Sequence, residues 1–299
     1  MKADDTRRHR LAGMVAMLAG VGAFAFMDAG LKLLTAHYPS AQVAALRGLA
    51  ALPVVFVWAL YAGGIRQLIR VRWPLHIVRG VLSVFMMLTF TFALKQLSLA
   101  KAYALFFVAP LLIAVLSIFM LGERVQRVQW LAIVIGFAGV LIVLKPGGAG
   151  FGWLGTIAVL GTAVCYSLSS ILVRIIGRTD STQSMIFWMT CMLAIGATLI
   201  ALPGWQPLAR DHWPIIMGIA VTGAIGQWGI TEAFKRAPAA SVAPLEYSGL
   251  AWVMMIDFLV WSVWPEWTTL AGAAVIIGSG LYLLRFESRR TAQTADPAP

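Results

Sequence analysis

Charge is scarce in this sequence: only 12% of its 299 residues are Asp, Glu, Lys or Arg, against about a quarter in soluble domains. Cysteine is scarcer. Cys165 and Cys191 both fall in apolar runs, as small core fillers do, and two such thiols define no redox compartment. No histidine sits deep in an apolar run. His9, His37, His76 and His212 lie at ends or in connections, which argues against an intramembrane metal site or a Ser–His dyad. No glycine-rich loop precedes a Lys-Ser/Thr pair, so ATP is not the expected energy source. No cofactor or metal is implied. Nor is there a polar stretch long enough to fold as a soluble domain.

What fills the chain is apolar. The hydrophobic fraction is 60% and the mean hydropathy is +0.84. A soluble globule of this length has too little interior to hide that surface, so the bilayer is the fitting solvent. The net charge of +11 sits in short clusters between apolar runs. That is a juxtamembrane pattern rather than a basic patch with a reading helix, so no nucleic-acid partner is expected.

A transmembrane helix needs about 20 mainly apolar residues. Ten stretches qualify: residues 11–35, 40–61, 75–95, 98–120, 127–144, 152–176, 182–202, 213–235, 240–264 and 268–286. Residues 1–10 and 287–299 are left as tails. Arg7, Arg8 and Arg10 before the first run resemble the start of a signal peptide, but that run is too long for a signal-peptide core. With the N-terminus in the cytoplasm, inside segments carry sixteen Lys and Arg and outside segments four: Lys95, Lys101, Lys145 and Arg210. This bias orients the chain with both termini cytoplasmic in the cell inner (plasma) membrane.

The two halves resemble each other. Ala93-Leu94-Lys95 recurs as Ala233-Phe234-Lys235, and Ala100 recurs as Ala240, at a spacing of 140 residues. Ala132-Ile133-Val134-Ile135-Gly136 recurs as Ala274-Val275-Ile276-Ile277-Gly278 at a spacing of 142. Five spans per half is an odd number, so the second copy (152–286) enters the membrane from the side opposite to the first (11–146). The expected fold class is therefore an all-α integral membrane protein of ten transmembrane helices in two inverted five-helix repeats, the architecture of many secondary transporters. The notches Ala132/Gly136 and Ala274/Gly278 suit close helix packing, either of spans five and ten against each other or across a homodimer. Alanine and glycine are also simply common in membrane helices.

The stretch Ala93-Leu94-Lys95, Ala104, Pro110-Leu111, Gly122-Glu123-Arg124 and Gly136-Phe137-Ala138-Gly139 resembles the ten-helix EamA-type members of the drug/metabolite transporter superfamily. Arg47 matches a frequent position of that family. The second copy departs from it: Leu250 stands where Pro110 is related, and Trp264-Pro265-Glu266 replaces the Gly-Glu-Arg block. The resemblance implies a carrier of small metabolites, often an exporter. It also implies a central cavity formed mainly by spans one, three, four, six, eight and nine. Length and aromatic content are similar to those of the YddG-type amino-acid exporters.

A charge within a span is expensive unless paired or wet, so each is a functional candidate. Asp28, Arg47 and Asp257 lie at one depth, about 10 Å from the outer ends of spans one, two and nine. They suit a substrate-binding layer or an outer gate. The plainer alternative pairs Asp28 with Lys32, four residues on, and makes Arg47 a structural tie. Glu246, beside Tyr247 in span nine, has no opposite charge on its own helix. Glu232 has Arg236 four residues on and suits a helix-end pair. Arg79, Lys101 and Arg174 lie near span ends and can snorkel.

Of the 33 aromatic residues, many fit interface belts. Phe24, Tyr103, Phe107, Tyr166, Trp188, Trp228, Tyr247 and Trp252 lie deeper, with Gln227 as a polar handle. Such rings fill cores more often than sites, yet a ring-lined pocket between repeats would suit an apolar or aromatic metabolite. Pro110 can bend span four in mid-membrane.

The expected substrate-binding residues are thus Phe24, Asp28, Tyr103, Phe107, Tyr166, Gln227, Trp228, Glu246 and Tyr247, with Arg47, Pro110 and Asp257 as gating residues. The expected activity is alternating-access export of amino acids, aromatic ones included, or related small metabolites. A sugar phosphate would need two or more converging cations, and a sugar would need more amide partners than the spans offer. A lipid-acting membrane enzyme would need a catalytic cluster at one membrane face, and none is evident. A structural subunit would lack a hydrated cavity.

The charge bias makes a direct prediction for a background with Cys165 and Cys191 replaced by Ala. A membrane-impermeant thiol reagent on intact cells labels Gln206→Cys and spares Gln67→Cys. The reverse pattern would overturn both orientation and inversion.

Overall fold

An apolar segment in lipid has no water to satisfy its backbone, so it closes its hydrogen bonds within a helix. The computed structural model describes residues 2–69, 71–121, 127–144, 152–236 and 243–295, and these are helical with no strand among them. The helices are α1 (Lys2–Thr35), α2 (Ser40–Gly63), α3 (Ile65–Ile69), α4 (Trp73–Gln96), α5 (Leu99–Phe106) and α6 (Ala109–Leu121). They continue with α7 (Arg127–Leu144), α8 (Trp153–Ile176), α9 (Thr182–Ala201), α10 (Trp213–Arg236), α11 (Gly249–Trp261) and α12 (Trp267–Ala295). Among the described residues, seven stretches are long and apolar enough to cross a membrane: Leu11–Thr35, Ser40–Tyr61, Trp73–Gln96, Leu99–Met120, Trp153–Val173, Thr182–Gly204 and Arg210–Ala233. Trp130–Leu144 and Trp267–Tyr282 are shorter apolar helices. The chain is therefore a multi-pass membrane protein. Gly122, Glu123, Arg124 and Ala240 lie outside the described residues, as do the side chains of both expected tails.

Two expected spans are interrupted. Span four breaks at Phe107 and Val108, between α5 and α6, with Pro110 in the first turn of α6. A proline there costs no hydrogen bond, because the first-turn amides have no intrahelical acceptor. Ser98 starts α5, its hydroxyl accepting from the Lys101 amide at 3.3 Å. Span nine is expected as one helix, but residues Ala243–Ser248 form a 3-10 turn before α11 begins.

Helix pairings that join the two halves of the chain include α1 with α10, α2 with α9, α4 with α8, α5 with α11, and α7 with α12. Small residues let two of these pairs approach closely. A Cβ on Gly229 would lie 2.7 Å from the Gly20 Cα, so α1 and α10 touch backbone to backbone. A Cβ on Gly139 would meet the Gly272 carbonyl at 2.9 Å across α7 and α12. The stretches expected as spans five and ten thus pack against each other within one chain. The expected Ala274/Gly278 notch does not make this contact: both residues are exposed, and Gly272, Ile276 and Ser279 form the inner face of α12.

Polar ties secure both ends of the bundle. At the end where α1 finishes, Gln42 and Gln206 exchange side-chain to backbone hydrogen bonds of 2.8 and 2.9 Å. There Tyr38 accepts from the Ala209 amide at 2.9 Å and bonds His212 Nδ1 at 2.8 Å. At the end where α4 begins, Asp180 accepts from the Arg72 amide at 2.9 Å and contacts His76 Nε2 at 2.9 Å. Trp188, expected in mid-span, donates to the Leu68 carbonyl at 2.7 Å and so belongs to this end. Arg79 does not snorkel. It is buried, donating to Ser169 Oγ at 3.3 Å and to the Met185 carbonyl at 2.8 Å, because α8 and α9 offer acceptors where lipid offers none.

The Asp180 loop carries a pH prediction. Burial pushes its carboxyl up, but the Arg72 amide, the Thr179 hydroxyl and His76 outweigh burial and hold it below the ordinary carboxylate value. A depressed folded-state value stabilises the fold above the unfolded value, and the gain is lost as pH falls through the folded value. In detergent, the protein should therefore melt above Asp180→Asn at about pH 6, and the gap should narrow as the pH is taken below the ordinary carboxylate value. An unchanged gap would refute the tie.

Candidate functional site

The break in span four shapes the interior. Residues 107 and 108 leave the helix, and the carbonyl of Ala109 is taken up by the Ser167 hydroxyl at 3.1 Å. Phe107 is thereby fixed edge-on to Tyr103 at 6.1 Å and to Tyr247 at 5.1 Å between ring centroids. Phe106 packs on Tyr166 at 5.2 Å. Tyr103, Phe106, Phe107 and Tyr166 wall a cavity of about 520 Å³, which is within the range of sites for small organic ligands.

The cavity is lined from α1 by Val21, Phe24, Met27 and Asp28, and from α2 by Arg47. Met86, Met87 and Phe90 of α4 and Tyr103, Phe106 and Phe107 of span four face it, as do Thr162 and Tyr166 of α8. Ile230 of α10 and Glu246 of the 3-10 turn complete it. Its three charged groups differ in setting. Asp28 is buried, and its Oδ2 accepts from the Tyr103 hydroxyl at 2.6 Å. The Nε of Arg47 is buried with no hydrogen-bond partner among the described residues. Glu246 stays exposed. A second cavity of about 100 Å³ adjoins Phe24, Met27 and Arg47 and includes Gln227 in its wall. No group of three or more potential metal ligands occurs among the described residues.

Of the residues expected to bind substrate, Phe24, Asp28, Tyr103, Phe107, Tyr166 and Glu246 converge on the larger cavity, with Arg47, expected as a gate. Gln227 reaches only the smaller one. Trp228 does not converge: it is 63% exposed on the outer surface of α10, because Gly226 and Gly229 turn the inner face towards α1. Tyr247 is buried behind Phe107 and lines a separate apolar groove with Leu250 and Met254. A side chain on Gly280 would strike its hydroxyl, so that glycine makes the room.

The pairing of Asp28 with Lys32 is not formed. Lys32 crosses to Asp257 at 3.2 Å and lies 4.5 Å over the Trp261 ring. Asp257 also accepts from the Ala100 amide at 2.8 Å. It is fully buried and lies outside the cavity lining, so it joins α11 to the start of α5 and to α1. Glu232 and Arg236 form the expected helix-end pair at 2.7 Å. Met86, Met87, Phe90 and Phe106 were not anticipated. Their apolar side chains carry no mark separating a cavity wall from a lipid-facing or packed position.

A multi-pass helical bundle around an enterable, ring-lined cavity defines a membrane carrier. The sequence model described as "EamA-like transporter family" matches residues 11–145 and again 153–285, and the chain belongs to that family. It is a transporter and not an enzyme. A riboflavin transporter of Vibrio cholerae is 28% identical over 95% of this chain and 97% of its own. A pseudopaline exporter of Pseudomonas aeruginosa is 29% identical over 90% and 95%. An S-adenosylmethionine uptake transporter of Rickettsia conorii is 24% identical over 96% and 97%. A solved crystal structure covers 95% of this chain and 99% of its own with a TM-score of 0.60 at 22% identity, a likeness of fold.

The Asp257 tie predicts an ordering of variants. Asp257→Asn keeps an acceptor for the Ala100 amide, whereas Asp257→Leu leaves that amide buried and unpaired, costing about 1–3 kcal/mol more. Thermal melting in detergent should rank wild type, Asn and Leu in that order. A Leu variant as stable as the Asn variant would remove this role.

Proposed function

We propose that the chain exports amino acids, aromatic ones included, or closely related small metabolites by alternating access. It does so as ten spans in two inverted five-helix repeats, residues 11–146 and 152–286, with both termini cytoplasmic. The observation that carries the substrate reading is the larger cavity, whose wall is mostly rings and thioethers, with three charged side chains among the described residues. An apolar side chain is at home there, and a zwitterion brings two charges to meet those of the wall. A phosphorylated solute is not matched, since Arg47 is the one cation among the described lining residues. The relatives named for riboflavin, pseudopaline and S-adenosylmethionine support a small organic solute.

Three observations support the repeat. The family sequence model matches the chain twice in tandem. Four pairings between the halves map onto one another when the halves are exchanged: α1·α10 becomes α8·α4, while α2·α9 and α7·α12 map onto themselves. Phe107 and Tyr247, 140 residues apart, pack ring on ring where the two interrupted spans meet. Sixteen inner against four outer cations support the orientation.

The cavity then runs from Asp28 and Arg47, in the outer half, to Glu246 on the cytoplasmic side. An exposed carboxylate at the mouth raises the local concentration of a solute bearing an ammonium. Overexpression should raise cellular tolerance to a toxic aromatic amino-acid analogue. Proteoliposomes holding the protein should release loaded tryptophan faster than empty liposomes. Glu246→Gln should raise KM several-fold with little change in maximal flux. Flux of a sugar phosphate or nucleotide sugar, with none of any amino acid, would refute the substrate reading and leave the architecture standing.

A further inference from the structure

Two opposite charges face the larger cavity at one depth without closing on each other. Arg47 on α2 and Asp28 on α1 both line it, yet no ion pair within 4.0 Å joins them among the described residues. Asp28 spends Oδ2 on the Tyr103 hydroxyl, and its Oδ1 has no donor among the described residues. The Arg47 guanidinium makes no hydrogen bond among the described residues, and its Nε is shut off from solvent. The other deep charges of these helices are treated differently. Lys32 has Asp257 and the Trp261 face, and Arg79 has Ser169 and Met185. Arg47 as a residue is only half-buried, but a guanidinium nitrogen shut off from solvent without an acceptor among the described residues, as its Nε is, is costly. Lys32 and Arg79 are satisfied by protein groups, whereas Arg47 faces the cavity, where an anionic group of a solute can reach it.

We propose that Arg47 and Asp28 are the two halves of a zwitterion clamp, Arg47 taking the carboxylate of an α-amino acid and Asp28 its ammonium. The inference rests on the amino-acid reading above and moves the head group away from Glu246. The chemistry is specific. A planar guanidinium matches a carboxylate in two parallel hydrogen bonds, which a lysine could not supply. Tyr103 holds Asp28 from one side, leaving the other oxygen for an ammonium. The adjacent acid repels a dianion, so a single carboxylate is preferred to a phosphate. With the head group there, the side chain extends along Phe24, Phe106, Phe107 and Tyr166. The cavity has room for an indole and several waters.

The test uses the full-length protein in detergent with three ligands: L-tryptophan, tryptamine, which lacks the carboxylate, and indole-3-propionate, which lacks the ammonium. Thermal stabilisation gives an apparent affinity for each. Tryptophan should bind at least ten-fold more tightly than either analogue. Arg47→Gln should lose that advantage over tryptamine while tryptamine binding stays within two-fold. Asp28→Asn should lose the advantage over indole-3-propionate in the same way. Arg47→Lys should recover part of the loss and keeps the test valid if Arg47→Gln does not fold. The clamp is wrong if wild type binds none of the three, binds tryptophan no better than the analogues, or if Arg47→Gln weakens all three equally. Selective binding without tryptophan flux in proteoliposomes would sink the transport reading and leave the clamp. Flux without head-group selectivity would do the opposite.

Discussion

A charge or polar group in hydrocarbon has no water to fall back on, and that constraint sorts the deep charges among the described residues of these helices. Lys32, Arg79 and Asp257 meet it with protein partners and become ties between helices. Asp28, Arg47 and Glu246 meet it by facing a cavity. The two solutions need different neighbours. A tie requires an acceptor on a neighbouring helix, as Ser169 and Met185 are for Arg79. A cavity group requires neighbours that stand back, as the rings of Phe24, Phe106 and Phe107 do. Which solution a residue adopts is a property of the helices facing it, not of its own.

The backbone obeys the same rule. Lipid gives no hydrophobic push between helices, so close packing of small residues holds the bundle together. Gly20 against Gly229, and Gly139 against Gly272, bring backbones into contact between the halves. These contacts fix the walls, while the interrupted span four and the 3-10 turn of span nine supply the irregular stretch at the centre. Non-helical backbone is tolerated at such depth only where protein or a wet cavity covers it. Here Ser167 covers the Ala109 carbonyl and the cavity adjoins Phe107.

Helix content and the boundaries of most spans were legible in the sequence, because a run of apolar residues long enough to cross lipid has few alternatives to a helix. The break at Pro110 was legible too, since proline removes a donor wherever it sits. Partners were not. Lys32 has Asp28 one turn away and could equally reach another helix; the choice of Asp257 depends on where α11 lies. Trp228 and Tyr247 were misplaced for one reason: a hydrophobic face that is apolar all round carries no period to tell inside from outside. Its orientation comes from glycines opposite, Gly226 and Gly229 for α10 and Gly280 for Tyr247. Six candidates did converge on the larger cavity, and all but Glu246 are either rings or deep charges whose span positions were well bounded.

If access alternates as proposed, the ties at the end where α1 finishes must part together: Gln42 with Gln206, Tyr38 with Ala209 and His212, and Lys32 with Asp257. The first two ties comprise four hydrogen bonds, each worth about 1 kcal/mol net where water can replace it. Their sum is small enough for the differential binding of one solute to outweigh, and a ligand shifts a two-state equilibrium only by that difference. Lys32 and Asp257 are another matter, because Asp257 is fully buried and also caps the start of α5 through the Ala100 amide. Separating that carboxylate from the amide would strand both in hydrocarbon. The cheaper motion keeps α5 and α11 together through Asp257 and moves α1 with its lysine across them. The hinge then falls at the end of α5, where residues 107 and 108 are already free of helical constraint.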